Sequence, residues 1–194
     1  MKPTENTLFS TLLKQSRLAG MAILFLLSQI PYTYAADTDN KDADFIQAAL
    51  AGNLPDVEKM LKEGIKVDLQ SPEGFTALSV AAQTGHADVV KLLLEQKAAV
   101  DLANVQGGTP LLLASKNGHQ EVVDMLLAKG AKIDLQDANG ASALILAALS
   151  GHLPIVQKLL EHGAQPDLKA SNDFTALILA AQNGQNQVIE ALLE

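Results

Sequence analysis

The stretch AAQTGHADVVKLLLEQ, residues 81–96, returns three times further along this chain in slightly altered form. The later versions are LASKNGHQEVVDMLLAK at residues 113–129, AALSGHLPIVQKLLEH at 147–162 and AAQNGQNQVIEALLE at 180–194. Three of the four versions hold a Gly-His pair, and all hold two apolar doublets in the same order. Either the histidines form a chemical site, or the repeated sequence encodes a repeated structural unit.

A constant spacing of 33 residues separates the glycines of successive versions. The series is Gly52, Gly85, Gly118, Gly151 and Gly184. No residue is inserted or lost between them. A fixed period of about 20 to 50 residues is the signature of stacked structural repeats, so the spacing predicts five of them.

Each unit can be interpreted as two short helices joined at the glycine. Residues 76–84, TALSVAAQT, predict a first helix that begins at Thr76 and ends at Gly85, because glycine adopts the left-handed conformation without a steric cost. The apolar residues of 87–96 lie at i, i+1, i+4 and i+5, which is one stripe of a second helix. Two helices of this length cannot bury their stripes alone, whereas stacked units share a continuous core.

Composition excludes several functions. Apolar residues make up 48% of the 194 residues but aromatic residues only 4%, which predicts an aliphatic, alanine-rich core. The net charge of −8 argues against a nucleic-acid partner, since the phosphate backbone would be repelled. The chain has no cysteine, and no hydrolase elbow, phosphate-binding loop or zinc-protease motif occurs in it. We therefore expect neither an enzyme nor a cofactor.

The repeated histidines are expected to be structural. His86, His119 and His152 occupy one repeat position, so they should be separated by about the packing distance of helices, roughly 8–10 Å. A metal ion needs its donors about 2 Å from one point. The three side chains cannot share an ion, and we expect each imidazole to satisfy backbone groups in its turn instead. No metal site is predicted.

The N-terminus predicts a separate segment. Basic residues precede an apolar run at residues 18–30, and the small residues Thr33 and Ala35 follow it, which is the order of a secretory signal peptide. A membrane anchor is the alternative, but 13 helical residues span about 20 Å, short of the roughly 30 Å hydrocarbon core. We expect residues 1–35 to be removed, residues 36–40 to be a polar lead-in, and the mature protein to be periplasmic or secreted and free of the membrane.

The repeated unit resembles the ankyrin repeat. That family's pattern is roughly G-x-T-P-L-H-x-A-A-x-x-G-H, then V-V, L-L and G-A. One unit matches it at Gly107, Thr109, Pro110, Leu111, Ala114, Gly118, His119, Val122, Val123, Leu126, Leu127, Gly130 and Ala131. The resemblance implies an all-α solenoid of five 33-residue helix-turn-helix units joined by β-hairpin-like turns. Its domain would be residues 41–194, with repeats at about 41–73, 74–106, 107–139, 140–172 and 173–194.

The chain departs from the family pattern at a few positions. The family's T-P-L-H histidine is replaced by Ser79, Leu112, Ile145 and Ile178, so its hydrogen bonds must be met differently. Lys97 and Asp173 stand where the family has glycine, at some backbone cost. In the first unit Asp56 and Lys59 replace apolar residues, as a solvated end of the stack requires.

The resemblance implies a non-catalytic scaffold that binds another protein, on the concave face and the hairpin tips. The tip positions are Glu73, Phe75, Val105, Gln106, Asn139, Asn172 and Phe174, and the first-helix positions are Gln83, Thr84, Lys116, Asn117, Leu149, Gln182 and Asn183. These positions are rich in amides and nearly neutral, and four are apolar, as expected of an anchored interface with a polar surround. Scattered surface apolar residues are the alternative interpretation.

Two related functions stay open at this point. The protein could be an inhibitor or immunity-type protein that blocks a toxin or a hydrolase, or a secreted effector that binds host proteins. An enzyme that uses the repeats as a support ranks behind both. The sequence names neither the partner nor the oligomeric state.

Overall fold

The computed structural model describes residues 40–194, and in that range the chain forms ten helices and no strand. The helices are α1 (Lys41–Leu50), α2 (Leu54–Lys62), α3 (Ala77–Thr84), α4 (Ala87–Glu95), α5 (Pro110–Asn117), α6 (Gln120–Ala128), α7 (Ala143–Ser150), α8 (Leu153–Glu161), α9 (Ala176–Gln182) and α10 (Asn186–Leu193). Each odd-numbered helix is followed by its partner after a short turn. The predicted all-α repeat solenoid is confirmed.

The helices form two rows. Each odd-numbered helix contacts the next odd-numbered helix, and the even-numbered helices make a second row in the same order. No helix within residues 40–194 is long and apolar enough to cross a membrane. The fold is therefore a two-layered stack in which each repeat touches its neighbours in sequence.

The core is aliphatic, as the composition predicts. Alanines fill the contacts between first helices, and Ala81, Ala114 and Ala147 are completely buried. The second helices contribute branched side chains such as Val90 and Leu93, which are buried equally. Small residues let neighbouring helices approach closely, so the chain needs little aromatic volume to exclude water from the stack.

The first helices α3, α5, α7 and α9 begin after a hydroxyl residue. Thr76 was expected to be the first helical residue, but it is the N-cap, since its hydroxyl accepts a hydrogen bond from the backbone N–H of Ser79 over 3.1 Å. Ser79 Oγ in turn accepts from the N–H of Thr76 over 2.9 Å, which completes a capping box. Ser79 stands where the family has its T-P-L-H histidine, and its side chain supplies a hydrogen bond at that position. At the equivalent positions, Leu112 and Ile145 are buried and enlarge the core.

Tight turns project between successive pairs and are joined to one another. In the first, Gly74 N–H donates to the Ser71 carbonyl over 2.8 Å, and the same bond recurs in the later turns. Val105 N–H then donates to the carbonyl of Glu73 in the preceding turn over 2.9 Å. Equivalent bonds run from Ala138 to Gln106 and from Ser171 to Asn139. The hairpin tips therefore form a continuous backbone-bonded row.

Lys97 and Asp173 adopt the left-handed conformation, with φ of 64° and 62°, which carries the predicted backbone cost. Space explains why the position of Lys97 accepts a side chain. Lys97 is equivalent to Gly130, where a β-carbon would meet nothing within 4 Å. At Gly107, by contrast, a β-carbon would lie 3.0 Å from Asp137 Cα of the next turn, so that position requires glycine. Asp173 is the equivalent of Gly107, but no further turn packs against it among residues 40–194.

The fifth repeat is less covered than the others. Ile178 on α9 is 40% exposed, whereas its equivalent Ile145 on α7 is 2% exposed. Leu193 on α10 is 68% exposed. The last helix pair has a neighbour on one side only within the described residues, so its apolar pattern is only partly buried.

Amides of residues 187–194 are expected to exchange with solvent faster than those of residues 121–128. The two segments hold equivalent positions of α10 and α6, but α10 is packed on one side only, and local opening costs less where fewer contacts are lost. Native-state hydrogen exchange with mass spectrometry measures the difference. Equal protection in a monomer would contradict the expectation.

Candidate functional site

The predicted partner-binding surface consists of the hairpin tips and the exposed ends of the first helices, and we call it the binding face. Its polar residues Gln83, Gln106, Lys116 and Gln182 are exposed, as are Glu73, Asn139 and Asn172. Val105 is the most exposed large apolar residue among residues 40–194, at 73%. These side chains lie where a partner could reach them.

Three of the predicted polar residues also stabilise the ends of their own helices. Thr84 Oγ1 donates to the Val80 carbonyl over 2.9 Å. The amides of Asn117 and Asn183 donate to the carbonyls four residues earlier, each over 2.8 Å. Carbonyls at a helix end otherwise lack intrahelical partners, so these side chains have a structural role beside any contact with a partner.

The apolar residues of the binding face are not equivalent. Phe75, one of the four predicted apolar positions, is half-buried and packs against the core. Leu149 and Phe174 are half-buried as well, and they lie outside the continuous core. Of the four predicted apolar residues, only Phe75 therefore packs against the core.

Sequence reasoning missed a row of leucines on the first helices. Leu113, Leu146 and Leu179 occupy one repeat position on α5, α7 and α9, and each is half-buried. Leu146 lies three residues before Leu149, so both lie on one side of α7. The 33-residue spacing, combined with the helical period, could have identified this leucine row from the sequence. Leu146 and Leu179 pack against the core as Phe75 does, so the row contributes only the exposed parts of its side chains to the binding face.

The binding face is nearly neutral in an acidic protein. Among its fourteen predicted residues only Glu73 and Lys116 carry a charge, and the Glu73 carboxylate accepts a hydrogen bond from the Ser71 hydroxyl over 2.9 Å. Exposed acidic residues such as Asp88 and Glu121 lie on the second helices instead. On α8, the hydrogen bond and charge of Glu161 raise the pKa of Lys158, away from this face.

The histidines connect one repeat to the repeat before it. The Nε2–H groups of His86, His119 and His152 donate to the carbonyls of Leu50, Gln83 and Lys116 over 3.1, 3.0 and 3.1 Å. Each ring also covers a glycine of the preceding repeat. The structural interpretation of these side chains is thereby supported. Within residues 40–194 no group of three or more histidine or acidic side chains is placed to hold a metal ion.

Comparison with known families matches this geometry. A family model described as ankyrin repeats (3 copies) matches residues 45–137 and 130–194. The chain belongs to the ankyrin-repeat family. Ankyrin repeats generally serve as non-catalytic binding scaffolds, so family membership indicates a protein–protein interaction scaffold. The predicted kind of partner, another protein, agrees with it.

The chain is also similar to the human mitochondrial disaggregase. The two are 37% identical over 65 residues, which is 33% of this chain and 9% of the human protein. The chain spans less than a tenth of that protein's length. The aligned segment is about two ankyrin repeats long.

Aspartates form a second set of bonds between ankyrin repeats. Carboxylates of Asp68, Asp101 and Asp134 accept the backbone N–H groups of Ala99, Lys132 and Gln165 over 2.8, 3.0 and 3.0 Å. Each acceptor lies 31 residues before its donor. The sequence showed the recurring Asp-Leu pair without indicating this role, because donor and acceptor meet only when the repeats stack.

Asp134→Ala is expected to lower the free energy of unfolding by about 1–3 kcal/mol, the net value of two hydrogen bonds. Asp134 accepts two bonds from Gln165, one from its backbone and one from its side chain. Asp167, its equivalent in the next ankyrin repeat, is exposed and meets no such donor among residues 40–194. Asp167→Ala is therefore the matched control, with little effect. Urea denaturation compares the two, and equal losses would argue against the bond.

Proposed function

We propose that this protein is a non-catalytic scaffold that binds one protein partner on its binding face, outside the cytoplasm. The observation that carries the proposal is the difference in charge between the second helices and the binding face. Every second helix carries at least one acidic residue and the first helices α3, α5, α7 and α9 carry none, while the binding face combines exposed amides with the leucine row and Val105. A neutral, partly apolar surface on an otherwise charged protein is what an interaction site requires.

The binding face suits a partner that is itself largely neutral. Long-range attraction contributes little where only Glu73 and Lys116 carry charge, so affinity must come from burying apolar groups and pairing amides. Val105 at one tip and Leu149 on α7 supply the apolar anchors. Exposed amides such as Gln83 and Gln182 can donate and accept hydrogen bonds around them. Binding should therefore change little with salt concentration.

Two forms of this function differ in the identity of the partner. An inhibitor or immunity-type protein would occlude the site of a toxin or hydrolase, and an effector would bind a protein of a host. The identity of the bound protein and its activity in the complex separate them. Catalytic activity of the purified chain alone would contradict the proposed scaffold role.

A pair of double variants tests the binding face. Val105→Glu with Lys116→Glu is expected to weaken partner binding at least tenfold, because it adds charge to a neutral interface. Gln157→Glu with Lys91→Glu makes the same change of charge at exposed positions on α8 and α4 and should bind normally. Tagged full-length chains capture the partner from a cell-envelope fraction, and titration of the captured protein gives the dissociation constants. Equal binding by both variants would reject the binding face.

Export of the protein is the second part of the proposal, and the segment concerned lies outside the described residues. The order of basic residues, apolar run and small residues before Ala35 supports it. Mass spectrometry of the protein from the periplasm or the medium is expected to find Ala36 as the first residue. An intact Met1 in a membrane fraction would show instead that the segment is an anchor.

A further inference from the structure

Three asparagines of this chain are each followed by glycine, which makes them chemically labile. They are Asn117, Asn139 and Asn183. The backbone nitrogen of the following residue can attack the side-chain carbonyl of an asparagine and close a five-membered ring. Glycine has no β-carbon in the way of that attack. The three pairs have the same two residues, so only their surroundings in the fold distinguish their reactivity.

The side chains of Asn117 and Asn183 are held at the ends of α5 and α9, where the two residues occupy equivalent positions. Each side-chain amide donates to the carbonyl four residues earlier, that of Leu113 or Leu179, over 2.8 Å. The side chain must give up this bond before its carbonyl carbon can swing towards the nitrogen of the next residue. The structure therefore slows ring closure at both of these sites.

The side chain of Asn139 is free of such a bond. Asn139 lies at the tip of the third hairpin, residues 137–141, and is exposed. Its backbone N–H donates to the Asp137 carboxylate over 2.8 Å, but its side-chain amide makes no hydrogen bond to any group of residues 40–194. The side chain can therefore rotate towards the Gly140 nitrogen without losing a bond.

The peptide group between Asn139 and Gly140 is also polarised. Its carbonyl accepts the N–H of Ser171 in the next hairpin over 2.8 Å. A hydrogen bond at the carbonyl oxygen draws electrons from the peptide nitrogen, which makes the N–H easier to deprotonate. No group of residues 40–194 donates to the carbonyl of Asn117 or Asn183. The glycine N–H itself donates to a backbone carbonyl at all three sites, so the cost of breaking that bond is common to them.

We propose that Asn139 is a site of spontaneous deamidation in the folded protein. A base from solvent takes the proton of the Gly140 N–H, the nitrogen bonds to Asn139 Cγ, and the side-chain nitrogen takes a proton from solvent and leaves as ammonia. Water then opens the ring at one of its two carbonyls. One opening gives aspartate. The other gives isoaspartate, in which the main chain runs through the former side chain and is longer by one methylene.

The other hairpins carry less reactive residues at this position. Gln106 is equivalent to Asn139 and is also followed by glycine, but a glutamine must close a six-membered ring, which is slower. Asn172 is followed by Asp173, whose β-carbon obstructs the approach of the nitrogen. The first hairpin has Glu73 at this position. Among the four hairpin tips of residues 40–194, the labile pair therefore occurs in the third.

Deamidation of Asn139 changes both the row of hairpins and the binding face. Isoaspartate lengthens the main chain next to the carbonyl that bonds Ser171, so the link between the third and fourth hairpins should be lost. Either product adds a negative charge to a face whose charged predicted residues are Glu73 and Lys116. The effect on a partner rests on the proposed function. The reaction itself does not, and it is measured on the chain alone.

Peptide mapping of the full-length chain, kept folded in mildly alkaline buffer, measures the three rates separately. Trypsin places Asn117, Asn139 and Asn183 in different peptides, because lysines lie between them. Mass identifies the deamidated peptides, and electron-transfer fragmentation identifies isoaspartate. Asn139 is expected to react at least fivefold faster than the other two, since one hydrogen bond shifts an equilibrium by about that factor.

The same chain in guanidinium chloride is the matched control, and there the three rates should converge because the side-chain bonds are lost. Asn139→Gln reproduces the residue of the second hairpin. It should remove the isoaspartate from this peptide and leave the circular dichroism spectrum unchanged. Two results would overturn the proposal. One is no excess of reaction at Asn139 in the folded chain, and the other is an excess that persists undiminished in the denaturant.

Discussion

Gly118→Val is expected to lower the free energy of unfolding by about 3 to 5 kcal/mol. Gly118 has φ of 82°, and a residue other than glycine held in that region costs on the order of 1–3 kcal/mol. A β-carbon there would also lie 2.7 Å from Cε1 of His152, so the ring of the next repeat must move. Overpacking of this kind typically costs a further 1–3 kcal/mol or so. The two costs act at one joint and should combine.

Two controls separate these contributions in urea denaturation. Gly163 has φ of 84° and open space around the place of a β-carbon, so Gly163→Val isolates the backbone cost, about 1–3 kcal/mol. His119→Ala removes one hydrogen bond to the Gln83 carbonyl and should cost roughly 1 kcal/mol. If Gly118→Val and Gly163→Val lost equal stability, the contact with the histidine ring would have no energetic role.

Ile145→Ala is expected to cost about 2–5 kcal/mol, the usual range for removing a buried aliphatic side chain from a packed core. Ile145 is 2% exposed between neighbouring repeats. Ile178→Ala at the equivalent position should cost less than about 1.5 kcal/mol, because that side chain is 40% exposed and leaves a smaller cavity.

Denaturation of both variants at several protein concentrations measures the difference. Similar losses for Ile145→Ala and Ile178→Ala would mean that the C-terminal end is covered in solution. If the free energy of unfolding rose with protein concentration in the same experiment, association between copies of this chain would be what covers the C-terminal end.

Most of the fold could be predicted because its determinants are local. Gly85, Gly118 and Gly151 each end a helix in the left-handed conformation, which is a property of one residue and its turn. The stripe of Val89, Val90, Leu93 and Leu94 needs only the helical period to identify it as buried. Repetition then extends one correctly interpreted unit to the whole stack.

The contacts between repeats were harder to predict, since they join residues more than 30 positions apart. The role of Asp134 depends on where the Gln165 N–H points, and the burial of Phe75 depends on how its turn lies against the core. Asn117 is predicted to contact a partner, and the sequence did not indicate that its amide also donates to the Leu113 carbonyl. A polar residue at a helix end has several possible partners, and composition does not choose between them.

The pairing of each glycine with a ring from the next repeat has a consequence for how such a chain can change in length. His86, His119 and His152 lie over Gly52, Gly85 and Gly118, always 34 residues further along, and Gln185 takes the same place over Gly151. Duplication or removal of one whole unit leaves each glycine between two repeats facing the ring or the amide of the next repeat. Removal of residues 107–139, for example, brings His152 over Gly85. An insertion of one or two residues would misalign the glycine with the side chain that covers it. This architecture therefore permits evolution by gain or loss of whole repeats.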